Sequence, residues 1–350
     1  MNTWKGFLKI MKKLLQIAMM VSIMFGVSSC GAKANNDPKT IDTLSIIFVP
    51  SKNPDDINNA SEPLKAIVKE SLTQQGFNIN QVNVTVGDNY EAAGEALSSG
   101  SADVGFIPAG TLVKYESRGL EPLLSATRNG LSVGNEVMDP KVWNENKPTT
   151  ETNAQVNSYN SLIIAGPSEK GQALATKVNN GEKLNFDELN NATWCTSSPT
   201  SSSGYQYPQM WLKDNYGKTF DDLNNKTRAT SYGDSMNNLA AGTCDISLGY
   251  ADMRTVYQDS WASPNGGTIW DDTNVIGVSG PIMNDTISVS TKSPNMSDEL
   301  KTALINTFVD LPNTEQGKEV MNIYAHTGYA EVKTEDYNKE RDVLKQQGQN

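Results

Sequence analysis

The sequence has a single histidine, His326, and only three cysteines among its 350 residues. One histidine leaves few ways to build a catalytic base or an imidazole metal centre. The motifs G-x-S-x-G, the Walker phosphate loop and H-E-x-x-H are also missing. These gaps argue against a serine hydrolase, a P-loop nucleotidase and a zinc peptidase. The sequence therefore predicts no catalytic residue, no cofactor and no metal site.

Positive charge is scarce as well. Lys+Arg number 29 against 40 Asp+Glu, which gives a net charge of −11. Nucleic-acid binding needs a basic face, so this balance argues against a nucleic-acid partner. Hydrophobic residues make up 37% of the chain and charged residues 20%. That composition predicts a folded soluble body, long enough for two lobes that each have a core.

The first 29 residues have the composition of an export signal. Four lysines precede the apolar run 14–27, which is short for a membrane-spanning helix. The sequence VSSC at 27–30 resembles a bacterial lipobox, which implies cleavage before Cys30 and lipidation of its thiol. A plain signal peptide with a chance cysteine is the alternative. Residues 30–40 are expected to be a polar tether to the outer face of the cytoplasmic membrane.

The other two cysteines, Cys195 and Cys244, lie in the predicted folded body. An exported protein meets an oxidising or thiol-poor space, in which two cysteines are able to form a disulfide. Two buried free thiols are the equal alternative, and the sequence leaves both open.

The chain alternates between predicted strands and helices. Apolar or alternating runs predict strands at 43–51, 82–87 and 102–110. Apolar residues at helical spacing, closed by a glycine, predict helices at 58–76 and 89–100. This order is typical of a parallel sheet with helical crossovers.

The same order returns later in the chain. Strands are predicted at 161–166 and 192–198, followed by a helix at 205–217. Residues 235–253 also repeat the helix, glycine, aspartate and strand pattern of 90–108. The repeat predicts two similar α/β lobes. Open α/β sheets bind ligands at the carboxyl ends of their strands, so two such lobes would face each other across a cleft.

A serine run stands between one of these strands and the next helix. Residues 198–208 read SPTSSSGYQYP and include Ser201, Ser202 and Ser203. A helix start offers free backbone N–H groups, and the hydroxyls add further donors, so the loop suits a tetrahedral oxyanion without any Arg or Lys. The alternatives are helix capping by Ser202 or Ser203 and a slack linker.

Four segments carry a resemblance to a known family. They are FVPSKNPDD at 48–56, VGDNYEAAGEALSSGSADVGFIP at 86–108, SPTSSSGYQYP at 198–208 and CDISLGYADM at 244–253. Together they resemble the phosphonate, phosphite and phosphate substrate-binding proteins of ABC importers. The resemblance covers nearly the whole mature chain, and the pairing of N-Y-E-A with the serine loop is its specific part.

The resemblance implies an α/β fold of the type II periplasmic-binding-protein kind. Two Rossmann-like lobes would be joined by a hinge of two crossover strands, near Ser158–Leu162 and Asn284–Ser288. Lobe one would then consist of 41–157 plus 287–350, and lobe two of 158–286. The lobes of such proteins close over the ligand like a clamp.

The resemblance also implies the ligand contacts. Ser201, Ser202 and Ser203 match the loop that grips the phosphonate oxygens, and Tyr90 matches the tyrosine that reaches them from lobe one. A half-buried packing tyrosine is the alternative for Tyr90. Tyr159 matches an aromatic lining position. Tyr232 stands where some members have a histidine.

Asp252 and Asp285 match acidic positions that receive the ligand ammonium group in aminophosphonate binders. Asp252 replaces a more usual longer carboxylate. A carboxylate buried near an anion is costly unless a cation pairs with it, and an amine on the ligand would supply that cation. The alternative is that Asp252 pairs with the nearby Arg254 or faces water.

These expectations describe a lipid-anchored receptor of an ABC importer. Its ligand would be a small phosphonate, such as 2-aminoethylphosphonate or a similar aminoalkylphosphonate, with phosphite or inorganic phosphate as the alternative. Its partners would be an ABC permease and the membrane, and the receptor itself would be a monomer. A phosphoesterase with a serine nucleophile is a further class, but the sequence shows no general base near the serine loop that could serve it. A sensor or adhesin of the same fold is the remaining alternative.

Overall fold

The computed structural model describes residues 39–348. The predicted signal peptide, Cys30 and nearly all of the predicted tether lie outside the described residues. Within 39–348, the chain forms two mixed sheets that are covered by helices.

The first five strands and the last two along the chain belong to one sheet, and the five strands between them form the other. They are β1 (Lys39–Phe48), β2 (Phe77–Val86), β3 (Val104–Ile107), β4 (Leu120–Leu131), β5 (Glu151–Val156), β6 (Ser158–Ala165), β7 (Trp194–Thr196), β8 (Lys226–Arg228), β9 (Ile246–Tyr250), β10 (Asn274–Met283), β11 (Thr286–Ser290) and β12 (Gly328–Glu331). The first sheet has the order β12-β4-β11-β3-β1-β2, with β5 paired to β4, and the second has the order β10-β6-β9-β7-β8. We call the two sheets, with the helices that cover them, lobe one and lobe two.

The α-helices cover both sheets. They are α1 (Pro54–Gln74), α2 (Tyr90–Ser99), α3 (Ala109–Tyr115), α4 (Pro140–Glu145), α5 (Glu169–Asn179), α6 (Phe186–Asn190), α7 (Tyr207–Tyr216), α8 (Tyr232–Ala240), α9 (Met253–Tyr257), α10 (Ile269–Asp272), α11 (Asp298–Val309), α12 (Glu315–Asn322) and α13 (Asn338–Gln346). The prediction of two α/β lobes is confirmed. Strand β1 pairs in parallel with β2 and β3, as the alternation predicts, whereas β11 returns antiparallel between β3 and β4.

Helix α1 begins earlier than the apolar spacing predicts. The Asn53 side chain accepts a hydrogen bond from the Asp55 backbone N–H, and Pro54 occupies the first helical position. Both features favour a helix start four residues before the predicted residue 58. The predicted end is close, because Gly76 takes a left-handed φ of +88° directly after the helix.

The chain passes between the lobes at two neighbouring points. One passage is Asn157, between β5 and β6, and the other is Asn284 with Asp285, between β10 and β11. The Asn284 backbone N–H donates to the Asn157 carbonyl at 3.0 Å, and the Asn284 side chain donates to the Val156 carbonyl at 2.9 Å. The two passages between the lobes are thus tied to each other.

The segment between β4 and β5 packs differently from the sequence-based division, which placed it in lobe one. Trp143 of α4 is fully buried in a cluster of lobe-two side chains that includes Leu162 and Ile164. The Asn144 side chain pairs with both backbone groups of Val275 on β10, at 2.7 and 2.9 Å. The large apolar Trp143 and this edge pairing therefore place α4 on lobe two.

A disulfide joins Cys195 of β7 to Cys244, which lies just before β9. The two Cα atoms are 5.7 Å apart, and both residues are buried between neighbouring parallel strands. Of the two states left open by the sequence, the structure has the bonded one.

The disulfide should contribute to the stability of lobe two. It closes a loop with a sequence separation of 49 residues. Reduction should lower the free energy of unfolding by about 2–4 kcal/mol, because the bond restricts the unfolded chain. Urea unfolding with and without reductant measures this change. The double variant C195A/C244A is the control, since its unfolding should no longer respond to reductant. An equal response in both proteins would contradict the assignment.

Candidate ligand-binding site

The serine run folds as a tight helical turn rather than as a linker. Ser202–Gln206 form a single π-helical turn that leads directly into α7. The Ser201 side chain accepts a hydrogen bond from the Gly204 backbone N–H at 3.2 Å, so Ser201 is the cap of the turn. The sequence had offered Ser202 or Ser203 for that role. We call Ser201–Gln206 the serine turn.

The serine turn is joined to Tyr232, the first residue of α8. The Tyr232 hydroxyl lies 2.8 Å from Ser203 Oγ and 3.1 Å from Ser201 Oγ. The Ser161 hydroxyl also donates to the Ser203 carbonyl at 2.7 Å. These bonds fix the hydroxyl groups of the turn in place. Ser202 and Ser203 border a cavity, whereas Ser201 is absent from its wall.

Lobe one meets the serine turn through α3. The Gly110 backbone N–H donates to Ser202 Oγ at 2.9 Å. A Cβ atom at position 110 would lie 2.9 Å from the same oxygen and still closer to the Gln206 side chain. Glycine is therefore needed for this approach between the lobes.

Tyr90 reaches the same cavity from the other lobe. Its helix, α2, is capped by Asn89, whose side chain accepts from the Ala92 backbone N–H at 2.8 Å. Tyr90 is only 4% exposed, and its hydroxyl has no hydrogen-bond partner within residues 39–348. Burial raises the pKa of Tyr90 well above its usual value, so the hydroxyl remains a donor at neutral pH.

The cavity lies between the two lobes, and we call it the serine cavity. Its volume, measured for the centre of a water-sized sphere, is about 40 Å³. A water molecule needs roughly 10–15 Å³ on that measure, so the space suits one small molecule. The wall residues that carry hydroxyl groups are Ser51, Tyr90, Tyr159, Ser202, Ser203, Tyr232, Tyr250 and Tyr324.

An ion pair that the sequence did not indicate also borders the serine cavity. Arg128 of β4 donates from Nη2 to Asp285 Oδ2 at 2.8 Å, and its guanidinium carbon lies 4.8 Å from the centre of the Tyr159 ring. Burial opposes ionisation of Asp285. The charge of Arg128 and a hydrogen bond from His326 outweigh that effect and hold the pKa of the carboxyl below its usual value.

Lys52 is a second cation in the wall. It follows β1, is half-buried, and has no ion-pair partner within 4.0 Å in the described part of the chain. Burial lowers the pKa of Lys52, and the nearby Arg128 lowers it further, while Asp56 opposes both. The observed site therefore differs from the sequence-based expectation of an anion site without Arg or Lys. Arg128 stands in no motif, Lys52 lies in the segment 48–56 without an assigned role, and only the fold brings the two together.

Asp252 does not border the serine cavity. It lies beside a neighbouring space with a volume of about 60 Å³, on the far side of Arg128 and Tyr159. Its carboxylate pairs with Arg254 at 2.7 Å, and both side chains are fully buried. The Thr149 hydroxyl donates to the same carboxylate at 3.0 Å. The alternative of an Asp252–Arg254 pair is thus what the structure contains.

The arrangement can bind an anion but offers no evident means of catalysis. Its hydroxyls are held by neighbours or by burial, and none has a basic histidine beside it, since the His326 ring lies behind Asp285. Within residues 39–348, no group of three or more His, Cys, Asp or Glu side chains could hold a metal ion. The same residues contain no helix that is both long and apolar enough to cross a membrane.

Comparison with protein families gives one match over most of the chain. Residues 46–337 match the family described as the periplasmic substrate-binding protein of the phosphonate ABC transporter. A search of the curated proteins finds no match.

Solved structures share the fold at low sequence identity. The binding-protein component of an ABC phosphonate transporter from Pseudomonas aeruginosa is 15% identical, with a TM-score of 0.61, and 88% of this chain and 87% of that chain are covered. PhnD1 from Prochlorococcus marinus, solved with methylphosphonate, is 12% identical, with a TM-score of 0.62 and coverage of 88% and 99%. A Xanthomonas citri protein bound to chloride is 13% identical, with a TM-score of 0.61 and coverage of 87% and 98%. The expected two-lobed fold of periplasmic binding proteins is confirmed.

Proposed function

Since the chain belongs to the family of periplasmic substrate-binding proteins of phosphonate ABC transporters, we propose that it captures a small alkylphosphonate in the serine cavity and delivers it to an ABC permease. As a member of this family it is an extracytoplasmic binding protein and not an enzyme. The observation that carries the proposal is the convergence of hydroxyl donors from both lobes on one small cavity.

The charges in the cavity wall support an anionic ligand. Arg128 and Lys52 bring two positive charges, and Asp285 brings one negative charge. The tyrosine and serine hydroxyls add neutral donors, and most of the residues that carry them are buried. Hydrogen bonds to a charged group in such a place are worth more than in water, so a phosphonate head can be held tightly.

The rest of the wall favours a short organic group on the ligand. Apolar side chains border the same space; they are Val49, Pro108, Val256, Ile323 and Ala325. They can pack against a methyl or ethyl group but leave the fourth oxygen of phosphate without a partner. The proposal therefore ranks an alkylphosphonate of the size of methylphosphonate above phosphate and phosphite.

The structure weakens the argument for an amine on the ligand. That argument required buried carboxylates without a cation, but Asp285 and Asp252 each already have an arginine. One observation still favours 2-aminoethylphosphonate as a second candidate. Asp285 borders the cavity and accepts both of its hydrogen bonds at Oδ2, so Oδ1 could receive an ammonium group.

Calorimetric titration of the ligand-free protein distinguishes these ligands. Methylphosphonate, 2-aminoethylphosphonate, phosphite and phosphate would be compared at one pH and one salt concentration. Tightest binding of methylphosphonate supports the proposal. A preference for the aminated compound that is lost in D285N supports the second candidate. If phosphate binds tightest, the organic group has no role in recognition.

Tyr90 provides a direct test of the ligand position. Its hydroxyl has no partner in the described structure, so Tyr90→Phe should cost little stability. Loss of a hydrogen bond to a charged ligand should weaken methylphosphonate binding by about 1.5–3 kcal/mol. Calorimetry measures the affinity, and Tyr337→Phe serves as a comparison, because the buried Tyr337 hydroxyl also lacks a partner in the described structure but is absent from the cavity wall. Unchanged affinity in Tyr90→Phe would remove Tyr90 from the site.

We further propose that Cys30 anchors the protein to the membrane as a monomeric lipoprotein. The support is the VSSC sequence at 27–30, which follows an apolar run. Cys30→Ala should abolish incorporation of a labelled fatty acid and release the protein from the membrane fraction. Equal labelling of both proteins would overturn the assignment.

A further inference from the structure

His326, the single histidine of the chain, lies directly behind the serine cavity. The ring is buried and does not border the cavity, although the adjacent Ala325 does. Its Nε2 atom lies 3.2 Å from Asp285 Oδ2, and its Nδ1 atom lies 3.1 Å from the Tyr329 hydroxyl. The proposed function gives this buried polar ring no role.

We propose that His326 is a positioning residue for ligand binding: it holds the Asp285 carboxylate, which in turn holds the Arg128 guanidinium at the serine cavity. This inference rests on the proposed function for its effect on phosphonate affinity. The three side chains and the Tyr329 hydroxyl form one continuous line of hydrogen bonds that ends at the cavity wall.

The direction of each hydrogen bond follows from its partners. Asp285 is ionised beside Arg128 and can only accept, so Nε2 of His326 must carry the proton. Nδ1 is then the acceptor for the Tyr329 hydroxyl. Burial lowers the pKa of His326, which keeps the ring neutral in this tautomer. A neutral ring with Nε2–H is the form that can brace the carboxylate without competing for its charge.

The line of hydrogen bonds is built on adjacent strands. Tyr329 of β12 pairs with Ala126 of β4, two residues before Arg128. The Asp285 carbonyl accepts from the Ala126 backbone N–H at 2.9 Å, just before β11 begins. The sheet thus sets the spacing of all the groups. Arg128 and His326 both bond to the same oxygen of the Asp285 carboxylate, Oδ2. The hydrogen bond from His326 therefore restricts rotation of the Asp285 side chain.

Arg128 is left with donors for a ligand. Its Nη2 atom is engaged by Asp285, while Nε is buried without a partner in the described structure. The direction in which the free Arg128 donors point depends on where Asp285 holds the guanidinium. A swing of the carboxylate would therefore move these donors, even though His326 itself never touches the ligand.

Substitutions at position 326 separate bracing from packing. His326→Leu fills the space but cannot donate, and it should weaken methylphosphonate binding about tenfold. His326→Gln keeps an N–H near the position of Nε2 and should recover most of the affinity. In the D285N background, His326→Leu should cause no further loss, since its target has changed. Equal affinities of wild type and His326→Leu would overturn the proposal, as would equal losses with Leu and Gln.

Nuclear magnetic resonance of the ¹⁵N-labelled ring tests the bracing without any ligand. With one histidine in the chain, the spectrum contains a single imidazole. The free protein should show the Nε2–H tautomer, and D285N should shift its nitrogen signals. A ring that is indifferent to D285N contradicts the proposal. If the wild type binds no phosphonate in the titration but the ring still responds to D285N, the proposed function fails while the bracing of Asp285 holds.

Discussion

Replacement of Arg128 by methionine should weaken methylphosphonate binding by about 2–5 kcal/mol, the range found when one partner of a buried charge pair is truncated. Two effects add. The ligand loses the guanidinium donors, and Asp285 then presents an uncompensated negative charge to an anion in a poorly solvated cavity. Calorimetry on folded protein, checked by thermal melting, measures the loss.

Two further variants identify the cause. Arg128→Lys keeps the charge but not the shape of the guanidinium, so it should retain part of the affinity. The double variant R128M/D285N removes both charges and should bind more tightly than Arg128→Met alone. If Arg128→Met binds methylphosphonate as the wild type does, the ligand does not occupy the serine cavity.

Arg254→Met should destabilise the protein by about 3–5 kcal/mol, because it leaves the Asp252 carboxylate buried without a cation. The guanidinium also lies 4.8 Å from the centre of the Trp270 ring, a contact that methionine replaces only in part. Urea unfolding measures the change. Adding Asp252→Asn should restore part of the stability, since the uncompensated charge is then gone while Asn still caps α9.

The same pair tests the role that the sequence gave to Asp252. Asp252 is absent from the wall of the serine cavity, so Asp252→Asn should leave the affinity for methylphosphonate and 2-aminoethylphosphonate unchanged. A selective loss for the aminated compound would contradict this account and return Asp252 to the ligand. The two arginine variants thus separate a pair that serves binding from a pair that serves folding.

The features predicted well from the sequence are local ones. The helix predicted at 89–100 is observed as α2 with Asn89 as its cap and Tyr90 in its first turn, and the serine run lies between a strand and a helix, as its residues indicate. Short-range hydrogen bonds decide these features, and their partners are a few residues apart. The repeated alternation of strands and helices likewise predicts two α/β lobes.

The features that were missed depend on contacts between distant residues. Arg128 and Asp285 are separated by 157 positions, and they meet because β4 and β11 are neighbours. The position of α4 on lobe two depends on the burial of Trp143 against strands that come later in the chain. Asp252 shows a different failure. Its partner stands only two residues away, but whether it faces that partner or the cleft is decided by packing.

The residues in the wall of the serine cavity come from both lobes. Tyr90, Arg128 and Lys52 belong to lobe one, while the serine turn and Tyr232 belong to lobe two. A phosphonate that contacts both sets is bound completely only when the lobes are together. Binding should therefore favour the closed form, which is the difference that a permease can read.

The most direct measurement is a crystal structure of the protein with methylphosphonate. The account predicts the phosphonate group between the lobes, with oxygen-to-oxygen distances of about 2.5–3.0 Å to the hydroxyls of Tyr90 and of Ser202 or Ser203. It also predicts an Arg128 donor on the same group, with the Arg128–Asp285 pair intact. A phosphonate bound outside the serine cavity, or one that contacts a single lobe, would contradict it.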